Sequence, residues 1–280
     1  MVSRRLFLLQ VFLLLAACQN RKTQQLGRLT IGVVSYGEGE RSIEQYSELD
    51  TYLETQLKTI IDLEPAFNEV RALEQIKRKN WSLVFAPPGL AAPAIWEQQY
   101  SPIFPLEGVE KTTALIVVRE ESPIKKLDDL ADKAIALGQL GSAASYYLPL
   151  YNLYGLKLAE IRMAPTPKTI LEWLHQKEVA AGALSLDDLE RYQPAFKDMP
   201  LRVIYSDSVP PGSIIVSPTV ERYHQEYLRT LLASASPRMI ASAGYIPNAE
   251  APNYRRLMEI IATVRPISGK IQEKPVFLKK

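Results

Sequence analysis

Between residues 29 and 264, short apolar runs alternate with amphipathic stretches, and this alternation restricts the chain to sheets packed between helices. Residues 29–34 read as a strand. Tyr46, Leu49, Leu53, Leu57 and Ile60 follow at spacings of three and four, the apolar face of a helix. Further strands are predicted near 60–63 and at 83–86, 112–119, 135–137, 179–184, 202–205 and 213–217. Helices are predicted over 68–79, 142–154, 168–176 and 186–192, and over most of 220–264. Ser185, three residues before Asp188, is placed to cap the helix at Leu186. The expected fold is α/β with parallel sheets. Crossings at 111–115 and 209–213 divide it into a discontinuous lobe 1 (28–112 and 213–280) and a lobe 2 (113–212). The cleft between such lobes is a common place for ligands.

The N-terminus carries a separate signal. Arg4 and Arg5 precede an apolar run over 6–15, closed by Leu15-Ala16-Ala17-Cys18. A positive start, a short apolar run and a small-residue cleavage site read as an export signal, residues 1–17, too short to span a bilayer. Cys18 is the only cysteine, and its position resembles the acylated residue of a bacterial lipobox. The mature chain is then expected to start at Cys18, lipid-anchored, with a polar tether over 18–27. Residues 3–8 are also similar to a twin-arginine signal. Taking Arg4 and Arg5 from 33 basic residues leaves 31 against 31 acidic ones, a formally neutral chain without a nucleic-acid footprint. With Cys18 acylated there is no thiol nucleophile. His175 and His224 lie far apart without ligand spacing, so no metal, no cofactor and no enzymatic activity are expected.

Three turns carry the binding chemistry. Gly138-Gln139-Leu140-Gly141 ends a strand, and Ser142-Ala143-Ala144-Ser145 opens a helix. Unpaired N–H groups and the dipole at a helix start favour an anion, and small side chains let it approach the backbone. An ordinary glycine turn with a serine cap fits the same residues. Pro87-Pro88-Gly89-Leu90 also follows a strand and enters an alanine-rich helix; a rigid proline loop is the plainer reading. Ser35 and Tyr36 stand in a glycine-containing turn after the first strand. Trp81, Trp96 and Trp173 read as packing residues.

The order of several segments adds a resemblance. Ile31-Gly32-Val33-Val34, Asn80-Trp81-Ser82-Leu83-Val84-Phe85-Ala86-Pro87-Pro88, Ala114-Leu115-Ile116-Val117-Val118-Arg119 and Ser122-Pro123-Ile124-Lys125-Lys126-Leu127-Asp128-Asp129-Leu130 come first. Gly141-Ser142, Leu148-Pro149-Leu150, Val209-Pro210-Pro211-Gly212-Ser213 and Ala243-Gly244-Tyr245 follow. Together they resemble the phosphate/phosphite/phosphonate-binding proteins of ABC importers over about residues 29–264. The resemblance implies a type 2 periplasmic-binding fold, two α/β lobes joined by a hinge of two strands, that closes like a clamshell on a small oxyanion. It further implies a periplasmic monomer that delivers its ligand to an ABC permease in the inner membrane.

The family's site residues carry over only in part. Its helix-start motif Gly-Ser-Thr-Ser-Gly reads Gly141-Ser142-Ala143-Ala144-Ser145 here, and Leu90 stands where a tyrosine is common. The resemblance places Phe67 as the aromatic before the second helix, Pro88 and Gly89 at the second helix start, and Ser35 and Tyr36 on the opposite lobe. Pro167 and Lys168 replace a histidine and an acid that phosphonate binders use, and Ala180 replaces an aspartate, which argues against an aminoalkyl phosphonate. Lys168 adds a positive charge if it points inward and is a solvated first-turn residue if it does not. Asp207 either reaches the cleft or forms a turn. Two other readings stay open: a sensory binding protein reporting to a membrane receptor, and a diverged binder of a non-phosphorus ligand.

Overall fold

The computed structural model describes residues 27–34, 43–107 and 113–278. The signal segment, Cys18, most of the tether, Ser35 and Tyr36 lie outside the described residues.

In chain order β1 (Arg28–Val34), α1 (Ser47–Leu57), β2 (Ile60–Ala66), α2 (Glu69–Lys77), β3 (Leu83–Ala86), α3 (Pro88–Gln98) and β4 (Ser101–Pro105) build the first lobe. The second lobe contains β5 (Thr113–Arg119), β6 (Ala134–Leu137) and a π-helical turn (Ala143–Tyr147) running directly into α4 (Leu148–Asn152). It continues through β7 (Lys157–Leu158), β8 (Glu160–Met163), α5 (Pro167–His175), β9 (Ala181–Ser185), α6 (Leu186–Tyr192) and β10 (Leu201–Ser208). The chain then returns through β11 (Ser213–Val216), α7 (Arg222–Ser234), α8 (Pro237–Ala243), α9 (Arg255–Val264) and β12 (Val276–Phe277). No described helix is long and apolar enough to cross a membrane.

Each lobe has a five-stranded sheet, ordered β2-β1-β3-β11-β4 in one and β10-β5-β9-β6-β8 in the other. These sheets are mixed, where the alternation pattern predicts parallel ones. β1 runs parallel to β2 and β3, but β11 is antiparallel to both β3 and β4. β5 is antiparallel to β9 and β10, while β6 is parallel to β8 and β9. The reversed strands are β5 and β11, the first strand met after each crossing. They enter their sheets from the neighbouring lobe rather than by a helical crossover, so the parallel rule for βαβ units does not bind them.

Local sequence explains the elements. α1 buries Leu49, Leu53 and Leu57, one residue per turn. The central strands β3 and β11 are buried throughout and wholly apolar but for Ser213, whereas the edge strand β2 carries Asp62, Glu64 and Pro65. The cap at Ser185 forms as predicted: its Oγ accepts from Asp188 N at 3.0 Å and donates to Asp188 Oδ2 at 2.6 Å. Trp81 is buried against Gly32, where a Cβ would lie 2.1 Å from the indole, and its N–H donates to Glu64.

The end of the chain departs from the expected lobe 1 assignment of 213–280. β12 pairs antiparallel with β7 of lobe 2, and Gly155 N donates to Leu278 O at 2.7 Å. Before it, α9 packs against α3 of lobe 1 and against α4 and the π-helical turn of lobe 2. Leu257, Ile260, Ile261 and Val264 of α9 belong to one apolar core with residues of both lobes, including Ala72, Leu90, Ile116 and Tyr146. A two-residue strand has no periodicity to read, so this third connection left no mark on the sequence pattern.

Candidate functional site

Two helix starts approach each other across the lobes. At the first, Ser142 caps the π-helical turn: its Oγ accepts from Ser145 N at 3.2 Å and from Ser145 Oγ at 2.8 Å. Both serine hydroxyls are thus engaged with each other, and Ser145 is buried. Tyr146 N and Tyr147 N both reach Ser142 O, at 3.2 and 2.9 Å, which gives the turn its wide pitch. Ala143 and Ala144 occupy the first turn, so their N–H groups have no intrahelical acceptor. Gly138 is needed beneath them, because a Cβ there would lie 2.1 Å from Ser145 Oγ.

The second start, at α3, offers less. Pro88 has no N–H, and the N–H groups of Leu90 and Ala91 both donate to Pro87 O at 3.0 and 2.8 Å. Gly89 N–H is the donor that remains. Leu90 itself is 1% exposed and belongs to the apolar core, so its side chain is packing rather than lining.

These two starts touch. A Cβ on Gly89 would fall 1.9 Å from Gly141 O and 3.0 Å from Ala143 N, so only a glycine lets the lobes come this close. Gly141 has φ +99°, the region that disfavours side chains, and a Cβ on it would meet Glu69 Oε2 at 2.5 Å. Glu69 Oε2 also lies 2.9 Å from the Cβ position of Gly89. This carboxylate, 4% exposed, therefore stands at the seam where both helix starts meet.

Sequence reasoning missed Glu69 and chose Phe67 from the same loop. Asn68 caps α2 by accepting Arg71 N at 2.9 Å, which leaves Phe67 outside the helix and 69% exposed. Glu69, Ala72 and Ile76 form the buried stripe of α2. That spacing was a usable signal: the apolar pair Ala72 and Ile76, extended back one turn, lands on Glu69. Its charge lies in the first turn of α2 and beside the starts of two other helices, positions that favour an anion. Tyr147, half-buried nearby, has its phenol pushed up to about 12, first by burial and then by the Glu69 charge.

Two other expected residues lie elsewhere. Lys168 is exposed and faces Glu172 one turn along α5 at 4.0 Å, because Ile170, Leu171 and Leu174 take the buried face. Asp207 is at the hinge. Its carboxylate accepts from Arg256 Nη1 at 3.0 Å, Arg256 Nη2 at 2.5 Å and the Tyr205 hydroxyl at 2.9 Å. Burial opposes ionisation of Asp207, but the hydrogen bonds from Arg256 and Tyr205 together outweigh it and hold the carboxyl below its ordinary range. No group of residues suited to a metal occurs among the described residues.

The comparisons agree with this architecture. A search of the curated proteins finds no match. Among solved structures, XAC2383 from Xanthomonas citri bound to ATP superimposes with a TM-score of 0.71 at 22% identity, covering 86% of this chain and 98% of its own. PhnD1 from Prochlorococcus marinus in complex with methylphosphonate gives 0.68 at 14%, covering 86% and 99%. A binding protein component of an ABC phosphonate transporter from Pseudomonas aeruginosa gives 0.65 at 12%, covering 88% and 87%. The fold is that of type 2 periplasmic binding proteins. Residues 31–265 match the family described as ABC transporter, phosphonate, periplasmic substrate-binding protein, and the chain belongs to that family.

Proposed function

We propose that this protein is an exported lipoprotein, acylated at Cys18, that captures a small oxyanion of the phosphite, phosphate or phosphonate class and hands it to an ABC permease. Capture is reversible clamshell closure without chemistry, and the protein acts as a monomer. The observation that carries this reading is the seam itself. The first turns of helices from two lobes meet there, with Ala143 N lying 3.0 Å from the Cβ position of Gly89 and the buried carboxylate of Glu69 alongside. Backbone donors at such helix starts suit an oxyanion whatever its fourth substituent. The lone Cys18 behind Leu15-Ala16-Ala17, and a segment over 1–17 that resembles both lipoprotein and twin-arginine signals, support an anchored, periplasmic location.

Neither Lys168 nor Asp207 contributes in this reading, since one faces solvent and the other is held by Arg256. The family's ligand-amine partners are replaced by Lys168 and Ala180, so the ligand carries no amine. Calorimetric titration of the purified chain with phosphite, methylphosphonate, phosphate, 2-aminoethylphosphonate and sulfate tests this. Binding of phosphite or methylphosphonate, with none of the amino compound, is expected. Silence from every phosphorus oxyanion overturns it. Mass spectrometry of the membrane-extracted protein checks the anchor by the diacylglyceryl mass on Cys18.

A further inference from the structure

The end of lobe 1 away from the seam carries a surface of another kind. β1, β2, β3 and β4 run in one direction, so all four start at that end, and α1, α2 and α3 finish there. α2 runs out into Lys77, Arg78 and Lys79. The end of α3 lies beside them, since Lys79 Nζ donates to Gln98 O and stands 4.9 Å from the centre of the Tyr100 ring. Lys77 and Arg78 are exposed, with no ion pair to any described residue. The acids around this end are engaged: Glu54 Oε1 accepts from Ile61 N at 3.0 Å, Asp62 pairs with Arg28 at 3.0 Å and Glu97 with Arg265 at 2.8 Å. Basic residues at helix ends complement the helix dipoles, but the apolar residues among them have no such reason to be there. Trp96 is 64% exposed, and Ile60 beside Arg28 and Tyr223 after β11 are exposed as well.

The chain enters the fold at this same end. Arg28 opens β1, and residues 19–27 link it to Cys18. Even fully extended, that link reaches at most about 35 Å. Resting on the acylated Cys18 of the reading above, we propose that this end of lobe 1 lies against the bilayer, on the anionic phospholipid headgroups around the anchor. Lys77, Arg78 and Lys79 face the lipid phosphates, an electrostatic contact that falls off within a Debye length. Trp96, Ile60 and Tyr223 lie at the headgroup level, where aromatic rings with an apolar body and a polar tip are favoured. The tether keeps the surface at high effective concentration, so a contact too weak to hold a free protein suffices. Gly89 and Trp96 are seven residues apart on α3, about 10 Å along its axis. A bilayer touching Trp96 therefore leaves the seam in solution, and the anchored protein presents its cleft to the medium from which it takes its ligand.

The test reconstitutes the membrane-extracted protein into phosphatidylglycerol or phosphatidylcholine vesicles that carry a doxyl-labelled lipid, a short-range quencher of tryptophan. Quenching in phosphatidylglycerol is expected to be about threefold or more that in phosphatidylcholine, and to fall to the same level in about 0.5 M salt. Trp96→Phe should abolish it. Trp173→Phe should not, because Trp173 lies half-buried in lobe 2. The double variant Lys77→Glu, Arg78→Glu alters two exposed residues and should remove the preference for phosphatidylglycerol. Equal quenching in the two lipids, or quenching unchanged by Trp96→Phe or by the charge reversal, overturns the proposal. Shielding of Trp96 from aqueous iodide that rises with protein concentration in vesicle-free solution assigns the surface to a second copy of the chain and overturns it too. Mass spectrometry of the same sample separates the two readings. A diacylglyceryl group on Cys18 with Trp96 unquenched overturns the bilayer contact alone, whereas its absence overturns the anchor and the contact together.

Discussion

At the seam the lobes meet backbone to backbone, whereas at the hinge they are joined by side chains. Gly89 and Gly141 touch with no room for a methyl group between them, and the polar group beside them is a buried carboxylate. At the hinge, Asp207 holds Arg256 and Tyr205, and Tyr254 donates to Pro211 O at 2.6 Å. A crevice of about 250 Å³, lined by Leu148, Val209, Asn253 and Leu257 among others, remains open next to these contacts. Gly89 and Gly141 leave no room for a side chain where they meet, so this backbone contact is sensitive to a single added methyl group. The hinge keeps its hydrogen bonds in long, partly solvated side chains that follow a rotation. In the proposed clamshell, the seam is the contact that closure makes and breaks, and the hinge pair guides the rotation.

The largest expected effect breaks the seam. Gly89→Ala places a methyl group on Gly141 O, so the lobes cannot reach the closed arrangement. Oxyanion affinity is expected to fall at least a hundredfold, about 2.7 kcal/mol. The methyl group meets backbone that must shift and strains a core shared by both lobes, so thermal stability should fall as well. Calorimetry and a melting curve on the same sample separate the two effects; unchanged affinity would place closure elsewhere.

Gly141→Ala comes next. It sets a side chain at φ +99° and against Glu69, a combination expected to cost about 1–3 kcal/mol in denaturant unfolding. Adding Glu69→Ala removes the collision but not the backbone strain. The double variant should therefore recover part of the loss, and a coupling energy of zero in the mutant cycle would show that the two residues do not touch.

Much of this was legible beforehand. The strand–helix alternation and the cap at Ser185 follow from periodicity and cap chemistry, which act over a few residues. What was lost acts at long range. The reversed strands β5 and β11 depend on where the chain enters a sheet, and β12 is recognised by a partner more than a hundred residues earlier. Within the site, Ser142 was legible as a helix start, because glycine, serine and small residues after a strand announce one. Phe67 was misplaced because an aromatic near a helix start attracts attention, although the cap at Asn68 leaves it in solvent. Lys168 could have been resolved from the stripe Ile170, Leu171 and Leu174. Glu69 was passed over because an acidic side chain in a first turn usually faces water. Only a neighbouring lobe, invisible to local pattern, buries it.

Smaller effects sharpen the contrast. Ser142→Ala removes the cap on Ser145 N and leaves the Ser145 hydroxyl without its partner, at an expected cost of about 1 kcal/mol in chemical denaturation. Because the N–H groups of Ala143 and Ala144 remain, affinity should change less than it does in Gly89→Ala. An equal loss would make the hydroxyl, not the backbone, the main contact.

The smallest effect is expected at the hinge. Asp207→Asn weakens a pair whose arginine is largely solvated, so the stability loss should stay below about 1 kcal/mol. Its pH dependence identifies it. The folded protein holds the Asp207 carboxyl below its unfolded value, so its contribution is complete above the ordinary aspartate range. It is lost as pH falls through the depressed folded value. The difference in stability between the parent and Asp207→Asn should therefore be constant from pH 6 to 8 and shrink in acid below about pH 4. Affinity at pH 7 should change less than twofold, because the hinge pair guides closure and does not touch the seam. A loss of affinity as large as that of Gly89→Ala would mean that the Asp207–Arg256 pair, and not the glycine contact, sets the closed state.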